Sequence, residues 1–263
     1  MDFLLECIGI PPDHSREALV ELLLERGESV AWRGGLLDER RLPLAGGLEL
    51  RLERGPGEHW TLWPYYAETR RLRVAVSSLR TIPDSPFNVL LSGWAAPPIP
   101  EWSEPGDPPG EYFFSSYLTD ARRLEPPPEP GHVLAISTAG FALDITYVGP
   151  NEGGEHVSAR ERSGGALIQP LGGAEAPGGC NDLSVRVRSL RHVRNPITGI
   201  DVEIIEADAP ERPLTLFLSR WQLEQDDLPS PRPGWRIEGT FLFSGRIAGG
   251  LPGPRSRADS AFG

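Results

Sequence analysis

Two cysteines are the chain's only thiols, Cys7 and Cys180. Cys180 stands in Gly178-Gly179-Cys180-Asn181-Asp182, a flexible approach into a strand, with His132, His156 and His192 elsewhere as candidate bases. A cysteine nucleophile needs a base within hydrogen-bonding reach and a lowered pKa. The spacing supplies neither, and a small residue at a strand entrance makes the same pattern. Cys7, between Glu6 and Ile8, reads as a core residue. Asp144 is the second catalytic candidate: it sits mid-strand between Leu143 and Ile145, and a hairpin would bring it towards His132 as a mixed site. A hydrolase using Cys180 or Asp144 with a histidine is therefore one reading of the chain.

Several other chemistries are excluded outright. All 26 basic residues are arginine, so the chain can form no lysine Schiff base and carries no phosphate-binding lysine of the P-loop or kinase kind. Neither cysteine belongs to a C-x-x-C pair, and no two of His14, His59, His132, His156 and His192 stand at i,i+2 or i,i+4, so no metal motif is written in the sequence. No G-x-S-x-G elbow occurs. The first strand-to-helix turn, Gly9-Ile10-Pro11-Pro12, lacks amide donors that a nucleotide phosphate would need. No cofactor is implied.

Binding chemistry has more to work with. Trp60 and Trp63 lie in the run His59-Trp60-Thr61-Leu62-Trp63-Pro64-Tyr65-Tyr66, whose aromatics fall on both faces of a strand, so at least one set packs inward. Arg186, Arg188, Arg191, His192 and Arg194 form the densest basic cluster, with Trp221 and Trp235 on neighbouring elements. Arginines and aromatics on a small barrel suit single-stranded nucleic acid. Asp201, Glu203 and Glu206 on the following strand offer those arginines cross-strand partners instead. A net charge of −11 favours the second reading and argues against general binding to phosphate backbones or anionic membranes.

The elements that would position these residues are mostly strands. Segment 3–10 reads as a short buried strand. Segment 16–26 is the one long amphipathic helix, with Ala18, Leu19, Leu22 and Leu23 at helical spacing and Gly27 as its stop. Leu48, Leu50 and Leu52 alternate with Glu49, Arg51 and Glu53, the pattern of a half-buried strand, and Leu72, Val74 and Val76 repeat it. Segment 87–94 fits a strand or a short helix. Segments 132–138 and 141–148 read as a hairpin about Ala139-Gly140. Leu190 breaks the phase of Leu183, Val185 and Val187, which places a bulge near Ser189. A short helical turn over 220–225 precedes a last strand over 235–247. No residue-level period establishes a repeat.

These elements predict an α+β protein. A small domain over 1–95 would pack one helix on an antiparallel sheet, and a proline-rich connector over 96–131 would carry one packed aromatic segment. A β-rich barrel or sandwich over 132–251, OB-like in one version, would end in a disordered tail over 252–263. Glycine and proline total 30 and 28 residues, below the level at which disorder becomes the default. The amino terminus lacks a basic signal-peptide region, and the longest uncharged run, 85–100, is broken by four prolines; the expected compartment is the cytoplasm. With no reaction assembled by any motif, the sequence favours a non-catalytic component that works through protein contacts. The hydrolase and the OB-like single-strand binder are the alternatives.

Overall fold

The computed structural model describes residues 2–31, 38–55, 57, 59–82, 85–99, 109–148, 165–173 and 179–251. The expected tail, His156 and the central part of the proline-rich connector lie outside these residues. Among the described residues, no helix is long and apolar enough to cross a membrane.

The chain begins with a 3-10 helix over Asp2–Ile8 where a strand was expected. Leu4, Leu5, Cys7 and Ile8 are all buried, and the Cys7 thiol donates to the Leu4 carbonyl at 3.0 Å. A short, mostly apolar run interrupted by Glu6 carries no clear period, so its burial is compatible with either element. Helix α1 (Arg16–Arg26) follows. Its cap, Ser15, accepts from the amide of Ala18, and Leu19 and Leu23 form its buried edge. Gly27 ends it with extended backbone, so no left-handed turn demands the glycine. What excludes a side chain is space, because a Cβ there would lie 2.4 Å from the Leu23 carbonyl oxygen.

Four strands, β1 (Glu28–Val30), β2 (Asp38–Pro43), β3 (Leu48–Arg54) and β4 (Thr61–Tyr66), form an antiparallel meander. Helix α1 lies on β2 and β3, as the sequence led us to expect. The opposite, charged face of the sheet is not solvated: Glu39, Arg51 and Glu53 are all below 5% exposed.

Nine more strands make one large sheet: β5 (Leu72–Ile82), β6 (Ser85–Ala95), β7 (Tyr112–Leu118), β8 (Val133–Val148), β9 (Leu167–Pro170), β10 (Cys180–Arg194), β11 (Asp201–Ala207), β12 (Leu214–Ser219) and β13 (Arg236–Gly249). Their pairings close two circuits. One runs β8–β5–β6–β7–β13 and the other β8–β12–β11–β10–β13, and both return through the long antiparallel β8–β13 ladder. Closure leaves few free edges for another chain to pair with. β5, β6 and β7 thus hydrogen-bond into the same sheet as β8 and β13, across the expected boundary at 95–131.

The two circuits have the same connectivity. In each, a three-stranded meander is followed by a helical turn and a long strand. The turns are the 3-10 helix Ala121–Leu124 and α2 (Arg220–Gln225). In each, the first meander strand pairs antiparallel with its own long strand, β5 with β8 and β10 with β13. The third runs parallel to the other long strand, β7 with β13 and β12 with β8. The fold is a topological duplication whose halves exchange their long strands.

This corrects the hairpin expected at Ala139-Gly140, since β8 is one continuous strand of 16 residues. The small residues there serve the crossing. Gly140 pairs with Leu216 on one side and Phe243 on the other, and Gly245 pairs with Leu118 and Thr138. A Cβ on Gly245 would meet the Ser137 carbonyl oxygen at 2.1 Å, a clash with backbone that cannot rotate away. Gly245→Ala should cost about 3 kcal/mol or more, read as a lower urea midpoint. A midpoint equal to wild type would show that the crossing has room to spare. The phase break at Leu190 is a bulge between Val187 and Ser189 in the pairing of β10 with β11, as expected, and α2 starts at the expected helical turn with a Ser219–Gln222 capping box.

Candidate functional site

Cys180 opens β10, half-buried beside Tyr117 and Asp182. Burial first, and then the charge of Asp182, raise its thiol pKa above the ordinary value, the opposite of an activated nucleophile. Cys7 is raised well above it by complete burial. At pH 8, iodoacetamide should therefore alkylate Cys180 more slowly than free glutathione, and Cys7 only after unfolding; faster labelling of Cys180 would reverse its assignment as an unactivated thiol. His132 is half-buried just before β8, with Nε2 2.5 Å from the Gly250 carbonyl oxygen, while Asp144 is exposed further along the same strand. Twelve residues of one strand hold the two roughly 40 Å apart. Among the described residues, no three His, Cys, Asp or Glu side chains converge as metal ligands.

Arg186, Arg188 and Arg194 are exposed on β10. Arg194 donates to the Gly199 carbonyl at 2.7 Å and Arg191 to the Tyr66 hydroxyl at 2.8 Å. The acidic partners stand where the sequence placed them, with Arg194 opposite Asp201, His192 opposite Glu203 and Ser189 opposite Glu206. One face of β11 and β12 carries Val202, Ile204 and Phe217, and the chain's own amino-terminal part covers it. Tyr66 packs on Phe217 with ring centroids 4.9 Å apart, Asn195 donates to the Ile8 carbonyl at 2.7 Å, and Thr198 donates to the Gly9 carbonyl at 2.6 Å. Val202, Ile204 and Phe217 are each at most 1% exposed.

The other face of β11 presents Glu203, 2% exposed, at one end of the second circuit. Its Oε2 lies 2.7 Å from His192 Nδ1, but off the N–H direction, so the oxygen accepts no hydrogen bond there. Burial raises the Glu203 pKa, against the opposing influence of a hydrogen bond from Ser230 and the charges of His192 and Arg220. The Tyr147 hydroxyl is buried without a partner, its pKa raised by burial and by Glu203, and its ring stands 5.8 Å from that of Trp235. His192 is more than half exposed above this pair. The sequence suggests Glu203 as a partner for arginine; the residue opposite it is His192.

A second polar cluster went unread because its residues look like an ordinary solvated face. On the charged side of the four-stranded sheet, Glu39 stands directly opposite Glu53, and Arg41 opposite Arg51. Arg51 donates to Glu49 at 3.0 Å and to the Thr119 hydroxyl at 3.2 Å, and lies over the Tyr65 ring at 3.3 Å. Asn88 on β6 donates to Glu53 at 3.1 Å. Trp63 packs edge-on against Tyr117 of β7, so this tryptophan is 3% exposed and out of reach of a partner. The cluster is a closed seam between the sheet and strands β6 and β7.

Trp60 is different. It is half-exposed just ahead of β4, fixed by two arginines: Arg16 donates to its carbonyl oxygen at 2.5 Å, and the Arg54 guanidinium lies 4.2 Å from its ring centroid. With His59 it forms one wall of an open groove of about 580 Å³, whose other wall is Arg16, Glu17, Val20 and Glu21 of α1. A smaller cavity of about 290 Å³, lined in part by Leu5, Ile10 and His14, adjoins it through Arg16. Trp221, on α2, is half-buried and lines neither. No family model matches the chain, and no curated protein or solved structure matches it.

Proposed function

We propose that the protein is a non-catalytic interaction component that takes a segment of a protein partner into the groove between α1 and Trp60. The carrying observation is the groove itself, an open cleft with a tryptophan under an arginine on one wall and a helix face on the other. Leu24, one turn beyond Val20, is 39% exposed and extends the apolar strip along α1. Aromatic anchors in a partly apolar cleft are what protein interfaces concentrate their binding energy on.

The alternatives draw less support. Cys180 lacks an activating environment, and His132 and Asp144 are held apart by β8. An OB-like binder would use the β11–β12 face, which the amino-terminal elements occupy, or the arginines of β10, several of which already have acceptors or acidic neighbours.

A benzophenone side chain at Leu24 should cross-link a discrete partner in host extract. Trp60→Ala or excess unlabelled protein should suppress the product, and the same probe at exposed Asp226, beyond α2, should not form it. Equal products from both positions, or none from Leu24, would remove the groove from the reading.

A further inference from the structure

We propose that the segment received by this groove is basic and amphipathic, with cationic side chains on one flank and apolar ones on the other. The inference rests on the groove reading above and assigns its partner class. Helical geometry sets the chemistry. Around the axis of α1, the buried Leu19 and Leu23 are followed by Val20 and Leu24, and then by Glu17, Glu21 and Glu25. The helix thus presents a strip of aliphatic side chains beside a row of three exposed carboxylates at i,i+4 spacing. Trp60 flanks the aliphatic strip across the groove.

Of the two arginines at the groove, Arg16 donates to the Trp60 carbonyl, and Arg54 lies over the Trp60 ring and 3.7 Å from Asp38. Glu25 has Arg26 only at 3.7 Å, with both side chains about 70% exposed, a pairing that contributes little in water. Glu17 takes a hydrogen bond from the neutral Ser15 hydroxyl and, among the described residues, stands in no ion pair. A chain of net charge −11 would also steer a cationic partner towards it. An acidic segment would meet the carboxylate row, and a purely apolar one would leave it desolvated and unpaired.

The test uses the full chain and two fluorescein-labelled peptides, one of Leu-Lys-Lys-Leu repeats and one of Leu-Glu-Glu-Leu repeats, read by anisotropy. The basic peptide should bind with an affinity that falls as salt rises, and the acidic one should not bind. Glu17→Gln, Glu21→Gln and Glu25→Gln combined should weaken the basic peptide about tenfold. Neutralising Glu224, Asp226 and Asp227 removes the same charge from another exposed surface and should change affinity by less than about twofold. Equal binding of both peptides, or equal loss in the two neutralised variants, overturns the basic partner class while leaving the groove standing. If Val20→Asp and Trp60→Ala alter neither peptide binding nor cross-linking from Leu24, the groove reading itself fails, and this inference with it.

Discussion

Arg51→Ala is expected to destabilise the protein by about 3–5 kcal/mol, enough to leave many domains of this size partly unfolded. The guanidinium is 5% exposed and makes three kinds of contact at once. Its Nε and Nη2 donate to Glu49, its Nη1 donates to Thr119 on the far side of the seam, and its plane covers the Tyr65 ring. Around it stand Glu39, 3.9 Å away and 1% exposed, and Glu53, 3% exposed. Truncation leaves a cavity and removes the positive charge beside the Glu39 and Glu49 carboxylates, and the second loss dominates, because a buried carboxylate that loses a cation costs more than the missing methylenes. Arg41, bonded to Glu39 at 2.5 Å, offsets one of them only in part. Arg51→Lys should fall between: it restores charge but neither the bidentate reach nor the flat stack on Tyr65. Urea unfolding at neutral pH measures the series. An Arg51→Ala protein as stable as wild type would mean that the seam is wet and its charges are screened.

That seam also marks the limit of what the sequence could disclose. Helix α1, the alternation in β3 and β5, the bulge in β10 and the turn that becomes α2 were all legible, because each is a local pattern of apolar spacing or capping. In β3, Glu49, Arg51 and Glu53 gave the right strand and the wrong surroundings. Charges bound for water and charges bound for a buried network are the same residues at the same spacing; what differs is whether another layer, here β6 and β7, lies over them. The duplication was hidden for a related reason. Strand exchange is fixed by which long strand each meander closes on, and any alternating apolar sequence with small residues at the crossing can serve. Gly140 could thus be read as a turn until its neighbours Leu216 and Phe243 were in place. Among the binding candidates, Trp60 and Trp63 are three residues apart in one run, yet one stands at a groove wall and the other is closed against Tyr117. Their strand faces were foreseeable, but the layer covering one of them was not.

Glu53→Gln should act in the opposite direction to Arg51→Ala, stabilising the protein by about 3 kcal/mol at pH 7 and by almost nothing at pH 4. Burial pushes the Glu53 carboxyl from 4.5 up to about 8, with the Glu39 charge adding to the rise; Arg51, the Asn88 hydrogen bond and Arg41 only moderate it. A carboxyl raised in the folded state holds its proton more tightly there than in the unfolded chain. Its stabilising influence is therefore complete below about pH 4.5 and is lost as the pH climbs through about 8, beyond which both states are ionised. Over that window wild-type stability should decline by up to about 1.4 kcal/mol per pH unit from this group alone. The glutamine variant keeps an amide oxygen to accept from Asn88 and removes the titration. Glu6 and Glu203 are also raised by burial and bias the wild-type curve in the same direction, but both remain in the variant. The difference between the two stability–pH curves therefore isolates Glu53: flat near zero at acid pH, rising through neutrality, and level again in alkali. Parallel curves would show that Glu53 is ionised in the folded protein, and that Arg51 and Arg41 carry both buried carboxylates of the seam as charged groups.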